Sequence, residues 1–237
     1  MMMSFRYGRR VKIVASLSAA DLLNLNRDLK LLEEAPADGV HIDVSDGHFA
    51  SDLGFGPSFV KTVRGATQLP ISVHLMVENP SRFVEYYVKA GADRVYIHPE
   101  SQVNLVRVLR RIKSLRKEAG IALLPSTSVS SISLALKWVD SLLLLSNSDS
   151  CYLEWEDSEF LETIPEKISN AAHLLEREGI SFDIGVDGGL RKETIPQVVR
   201  SGANLLIMGS AIFSKKDPVR SIREIRKVLE ETRETRL

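Results

Sequence analysis

Eight short apolar runs alternate with eight longer amphipathic stretches along this 237-residue chain. That alternation constrains the fold more than any other feature. The runs at 11–16, 39–44, 71–75, 94–98, 121–124, 141–145, 182–186 and 204–208 are rich in β-branched residues and Leu, and read as strands. The stretches at 22–34, 57–64, 80–90, 103–119, 129–138, 159–178, 192–201 and 218–235 read as helices. Strict βα alternation implies a parallel sheet. Eight units favour closure, because open doubly wound sheets usually have fewer strands. The expectation is a single (β/α)8 TIM barrel spanning residues 1–237, with no Gly-, Pro- or Ser-rich linker to divide it. Ala90-Gly91-Ala92-Asp93 and Ser201-Gly202-Ala203-Asn204 look alike. Each ends a helix on Gly and enters a strand, which hints at repetition of the βα unit.

Composition narrows the partners. Lys plus Arg and Asp plus Glu both number 31, so the formal net charge is zero and a nucleic-acid footprint is not expected. No segment approaches the length of a membrane span. Met1 to Arg10 is basic but has no long apolar stretch behind it, so a cytoplasmic location is the expectation. A single cysteine, Cys151, rules out an intrachain disulfide and reads as a loop thiol.

Three strand ends carry the chemistry. In His41-Ile42-Asp43-Val44 the side chains alternate, so His41 and Asp43 share one face and Val40, Ile42 and Val44 the other. In a barrel the polar pair would face the lumen, where a buried imidazole and carboxylate must be paired or metal-bound. From this segment alone, an isolated His–Asp hydrogen bond and a metal site are equally good readings. His74 ends the third strand and Asp187 the seventh, where barrel active sites sit. Two imidazoles and two carboxylates suit Zn²⁺, Fe²⁺, Mn²⁺ or Co²⁺ better than Ca²⁺ or Mg²⁺. One such divalent metal per subunit is expected, on His41, Asp43, His74 and Asp187. Gly188-Gly189 follows the seventh strand and Gly209-Ser210 the eighth. Loops there commonly hold phosphate through backbone N–H groups. His48 and His98 are assigned supporting roles, His173 to solvent, and Met76 and Met208 to the core.

These segments resemble the ribulose-phosphate 3-epimerase family. Residues 41–49, His-Ile-Asp-Val-Ser-Asp-Gly-His-Phe, resemble the family's H-[IV]-D-V-M-D-G-H-F, with Ser45 in place of Met. His74-Leu75-Met76-Val77, Val186-Asp187-Gly188-Gly189 and Gly209-Ser210-Ala211-Ile212-Phe213 match H-L-M-V, V-D-G-G and G-S-A-I-F. Ser16 to Asp21 resembles S-I-L-S-A-D. The resemblance implies a metal on His41, Asp43, His74 and Asp187, with Asp43 and Asp187 also the acid–base pair. It implies a substrate contact at Ser16 and His74, a phosphate held by Gly188, Gly189, Gly209 and Ser210, and a homo-oligomer. The implied reaction converts D-ribulose 5-phosphate to D-xylulose 5-phosphate through an enediolate. One departure is large: after the sixth strand the family's M-T-V-x-P-G-F-G-G-Q is replaced by Leu145-Ser146-Asn147-Ser148-Asp149-Ser150-Cys151-Tyr152-Leu153-Glu154-Trp155. Leu124 also replaces the family's Asn before Pro-x-Thr. Asp149 and Glu154 read as solvent-facing. The departure keeps rival readings open: a 3-epimerase for another ketose phosphate, such as allulose 6-phosphate, or a non-catalytic sugar-phosphate binder. A metal-dependent hydrolase is a more distant rival.

Overall fold

The computed structural model describes residues 9–102, 104–147 and 159–234. Asp149, Cys151 and Glu154, expected in a loop after the sixth strand, lie outside them. Eight parallel strands, β1 (Lys12–Ser16), β2 (Gly39–Ser45), β3 (Ile71–Met76), β4 (Arg94–Ile97), β5 (Glu118–Leu123), β6 (Ser141–Leu145), β7 (Asp183–Asp187) and β8 (Leu205–Met208), close in sequence order, with β8 pairing back onto β1. The expected (β/α)8 barrel is therefore the fold.

The helices are α1 (Leu25–Glu34), α2 (Pro57–Ala66), α3 (Val84–Ala90), α4 (Leu105–Ser114), α5 (Ile164–Arg177), α6 (Ile195–Arg200), α7 (Ser210–Phe213) and α8 (Pro218–Glu234). Two expectations need correction. The helix expected over 103–119 stops at Ser114, where Arg116 takes a left-handed φ of 59°. Glu118 and Ala119 instead open β5, with Glu118 opposite Arg94 and bonded to its Nε at 2.7 Å. Pairing to a neighbouring strand thus overrides a helical apolar pattern. The helix expected over 129–138 is 3-10 throughout. Two serine side chains bond the backbone at its start: that of the N-cap Ser128 accepts from Ser130 N–H at 3.3 Å, and Ser131 Oγ donates to the Ser128 carbonyl at 2.7 Å.

Two apolar layers follow from strand alternation. Val40, Ile42 and Val44 point outward into the large core between sheet and helices. Val14, Tyr96, Ala122, Leu143, Leu205 and Ile207 fill the lumen. The lumen accommodates Tyr96 because its neighbour across β4–β5 is Gly120, and Leu143 and Leu205 close over Gly185. This plug floors the barrel, so polar lumen residues further along the strands collect at the C-terminal mouth. Among the described residues, no helix is long and apolar enough to cross a membrane.

Candidate active site

The register between β2 and β3 sets Asp43 directly opposite His74, and Ser45 opposite Met76. His41, two residues earlier on β2, faces the same way, and β7 delivers Asp187 from the far side of β1 and β8. One ligand atom from each of His41, Asp43, His74 and Asp187 lies within 4.8 Å of the other three. All four expected ligands thus come together, and the reading of His41 and Asp43 as an isolated pair is set aside.

Asp43 Oδ1 lies 3.2 Å from His41 Nε2 and 3.3 Å from His74 Nδ1. Asp187 Oδ2 lies 3.7 and 3.9 Å from the same two nitrogens. Four donor atoms therefore face one point. His41 Nε2 is buried and, among the described residues, has no hydrogen-bond partner. A polar atom left so costs about 1–3 kcal/mol, unless something else takes its lone pair. A divalent cation would do so, and a mixed imidazole–carboxylate set is chemically suited to one. The residues present fit such an ion.

The ring contacts behind these donors fix which nitrogen carries the proton. Ser72 Oγ donates to the Val40 carbonyl at 3.1 Å, which leaves its oxygen to accept from His41 Nδ1–H at 2.8 Å. The lone pair of His41 is then on Nε2, aimed inward. Asp43 Oδ2 accepts from Ser16 Oγ at 2.9 Å and Ser18 Oγ at 2.8 Å, which keeps Oδ1 turned to the cluster. Ser16, expected to touch substrate, thus also anchors Asp43. Ser72 escaped sequence reading because nothing local marks it; only the β2–β3 register brings it near. Ser18 lies in the 3-10 turn after β1, inside the segment that resembles S-I-L-S-A-D, but its bond to Asp43 was not expected.

Electrostatics agrees with a site built for positive charge. Burial alone would raise the Asp43 pKa, but the His41 and His74 rings hold it well below the ordinary carboxylate value. Burial and the neighbouring Asp43 charge push Asp187 up to about 7. Burial opposes charge on His41, yet Asp43 and Asp187 draw its pKa upward. Burial drives His74 down to about 4. Two crowded carboxylates and imidazoles of divided tendency would be relieved together by one cation among them.

The glycine loops border this cluster. Gly188 and Gly189 have φ of 100° and 62°, conformations that disfavour a side chain. A Cβ on Gly188 would lie 2.1 Å from Asn147 Oδ1, so the loops after β6 and β7 are in close contact. Ser146 reinforces this, its backbone N–H donating to the Asp187 carbonyl at 2.7 Å. A Cβ on Gly209 would meet Ala19 Cβ at 3.2 Å and Ser16 Cβ at 3.8 Å. Gly209 and Ser210 therefore sit beside the β1 loop. Of the other histidines, exposed His48 closes a turn on Asp46, and His173 is exposed on α5. Met76 and Met208 are core residues, as expected.

A family model described as "Ribulose-phosphate 3 epimerase family" matches residues 12–213. A ribulose-phosphate 3-epimerase of Bacillus subtilis is 37% identical over 217 residues, covering 91% of this chain and 98% of that one. A chloroplastic ribulose-5-phosphate-3-epimerase of Arabidopsis thaliana is 36% identical over 213 residues, covering 89% and 74%. Among solved structures, a 3-keto-L-gulonate-6-phosphate decarboxylase from Vibrio cholerae superposes with TM-score 0.67 at 13% identity, covering 94% of this chain and 99% of that one. At that identity the likeness speaks for the fold alone.

Proposed function

Because the chain belongs to the ribulose-phosphate 3-epimerase family, and is thus an isomerase acting on carbohydrates, we propose that it interconverts D-ribulose 5-phosphate and D-xylulose 5-phosphate with Asp43 and Asp187 as the acid–base pair. The observation that carries this reading is the meeting of His41, Asp43, His74 and Asp187 donor atoms within 4.8 Å. Inversion at carbon 3 needs a proton removed from one face of the sugar and another supplied to the opposite face. A carboxylate on each side meets that need. Asp43 and Asp187 stand on strands separated by β1 and β8, so they enter the mouth from different directions. One takes the carbon-3 proton as base, the electron pair delocalises toward the adjacent carbonyl as an enediolate, and the other returns a proton to carbon 3. The roles exchange when the reaction runs backward.

His41, Asp43, His74 and Asp187 would hold the divalent metal, which when bound offers Lewis-acid stabilisation to developing oxyanion charge, on the order of several kcal/mol. Hydroxyl donors from Ser16 and Ser18 favour the ionised form of Asp43. The backbone of Gly188, Gly189, Gly209 and Ser210 is suited to the phosphate, whose remote binding energy would orient the sugar. Loops after β7 and β8 are where this fold commonly binds phosphate. A homo-oligomer, also implied by the family, is checked by sedimentation velocity.

The test combines metal analysis with solvent exchange. Wild-type protein should carry about one divalent metal per chain and exchange the carbon-3 proton of D-ribulose 5-phosphate in deuterated water. Asp43→Asn and Asp187→Asn should lose metal and epimerisation together. Full epimerisation by metal-free wild type would refute the metal reading. Exchange confined to a hexulose phosphate such as allulose 6-phosphate would move the substrate assignment, and the altered segment after β6 is where that difference would reside.

A further inference from the structure

Behind His74 runs a chain of side chains that the acid–base scheme does not use. His74 Nε2 lies 2.8 Å from His98 Nε2, and both rings are buried. Two facing imidazole nitrogens at that distance share one proton, so one must donate and the other accept. His98 Nδ1 lies 3.3 Å from Glu100 Oε2. The other Glu100 oxygen, Oε1, accepts from the Leu124 backbone N–H at 3.1 Å and from the Thr127 hydroxyl.

The geometry points to Glu100 and His98 as positioning residues that set the tautomer of His74. This rests on the metal reading above. An ionised carboxylate can only accept, so Glu100 requires the proton of His98 on Nδ1. His98 Nε2 is then a bare lone pair and requires the proton of His74 on Nε2. That frees His74 Nδ1, the nitrogen facing Asp43 and Asp187, to bind a cation. Ser72 and the Val40 carbonyl impose the matching choice on His41. Both metal-facing nitrogens are thereby kept unprotonated by contacts made outside the cluster. The same carboxylate ties the loop after β5 to the metal site, through Leu124 and Thr127.

Isosteric substitution makes this testable. In Glu100→Gln the Leu124 N–H can only donate, so the amide oxygen must keep the Oε1 place and the NH₂ must face His98. An NH₂ donates to His98 Nδ1, which reverses both rings and turns a His74 Nδ1–H toward the cation. Glu100→Ala removes the bias without reversing it, but leaves Leu124 N–H and Thr127 without their acceptor. Titration of metal-free protein with Co²⁺, followed by its visible absorption, should show Glu100→Gln weakened about 10–100-fold, and more than Glu100→Ala. Thermal melting of the metal-free proteins should show the opposite order, with Glu100→Ala the less stable. A merely structural Glu100 would give one order in both assays, and that result overturns the proposal. Variant-free evidence comes from ¹⁵N spectra of the zinc-loaded wild type, which should show His98 protonated on Nδ1; a proton on His98 Nε2 would refute it. Wild-type protein that takes no cobalt would instead remove the metal reading itself, and this inference with it.

Discussion

Gly120→Ala tests whether the lumen plug also positions His41 and His74. A Cβ at this β5 position would lie 2.2, 2.5 and 2.9 Å from Cδ1, Cε1 and Cγ of Tyr96. The Tyr96 ring is fully buried, and its hydroxyl is paired with Ser141 Oγ at 2.8 Å, so it has nowhere to retreat without breaking that bond. Overpacking of a full core costs about 1–3 kcal/mol, and contacts this short belong at the upper end. Loss of the hydroxyl bond adds about 1 kcal/mol. Relief of the glycine penalty in a strand returns about 0.5–1 kcal/mol. The net is about 3 kcal/mol, or a fall in melting temperature of roughly 6–12 °C for a chain of this size. The Tyr96 ring centroid lies 6.0 Å from that of His41 and 6.5 Å from that of His74, so a displaced ring should also disturb both imidazoles and weaken metal binding. The assay is melting of wild type, Gly120→Ala, Tyr96→Leu and the double variant. Tyr96→Leu opens the space, so the double variant should be more stable than the sum of the single effects. Strictly additive costs, or a Gly120→Ala protein that melts like wild type, would refute the packing argument.

Other perturbations address the site more directly. Gly188→Ala combines a φ of 100° with a Cβ 2.1 Å from Asn147 Oδ1, and should lower stability by at least about 2 kcal/mol in urea unfolding. Ser16→Ala removes one of the two hydroxyl donors to Asp43 Oδ2, worth about 1.5–3 kcal/mol to a charged acceptor. If that bond is what Ser16 contributes, kcat should fall with KM little changed, whereas a rise in KM alone would make Ser16 chiefly a substrate contact. Burial would raise the Glu100 pKa, but hydrogen bonds from His98 and Thr127 pull it from 4.5 to about 2. The folded value is lowered, so the stabilisation is present above pH 4.5 and is lost as pH falls toward 2. The full shift would be worth about 3 kcal/mol, and about 2 after screening by water. Unfolding between pH 6 and pH 2.5 should show that loss in wild type and not in Glu100→Gln.

The β/α order, the strand cores and the four side chains that meet at the barrel mouth were legible in the sequence, because each depends on short-range pattern. Alternation along His41-Ile42-Asp43-Val44 assigns faces without any knowledge of neighbours. His74 and Asp187 announce themselves by ending apolar strands. Where the pattern misled, a partner distant in sequence decided the outcome. Glu118 is a helical residue by local apolar spacing and a strand residue because Arg94 lies beside it. Ser72 and Glu100 carry no local sign of their task. Ser72 meets His41 only through the β2–β3 register, and Glu100 meets the loop after β5 only because β4 and β5 are neighbours in the closed sheet. The sequence alone thus determined which imidazoles and carboxylates stand at the strand ends. The tertiary structure alone decided which lone pairs point inward, because a tautomer is set by the group on the far side of the ring, and barrel closure chooses that group.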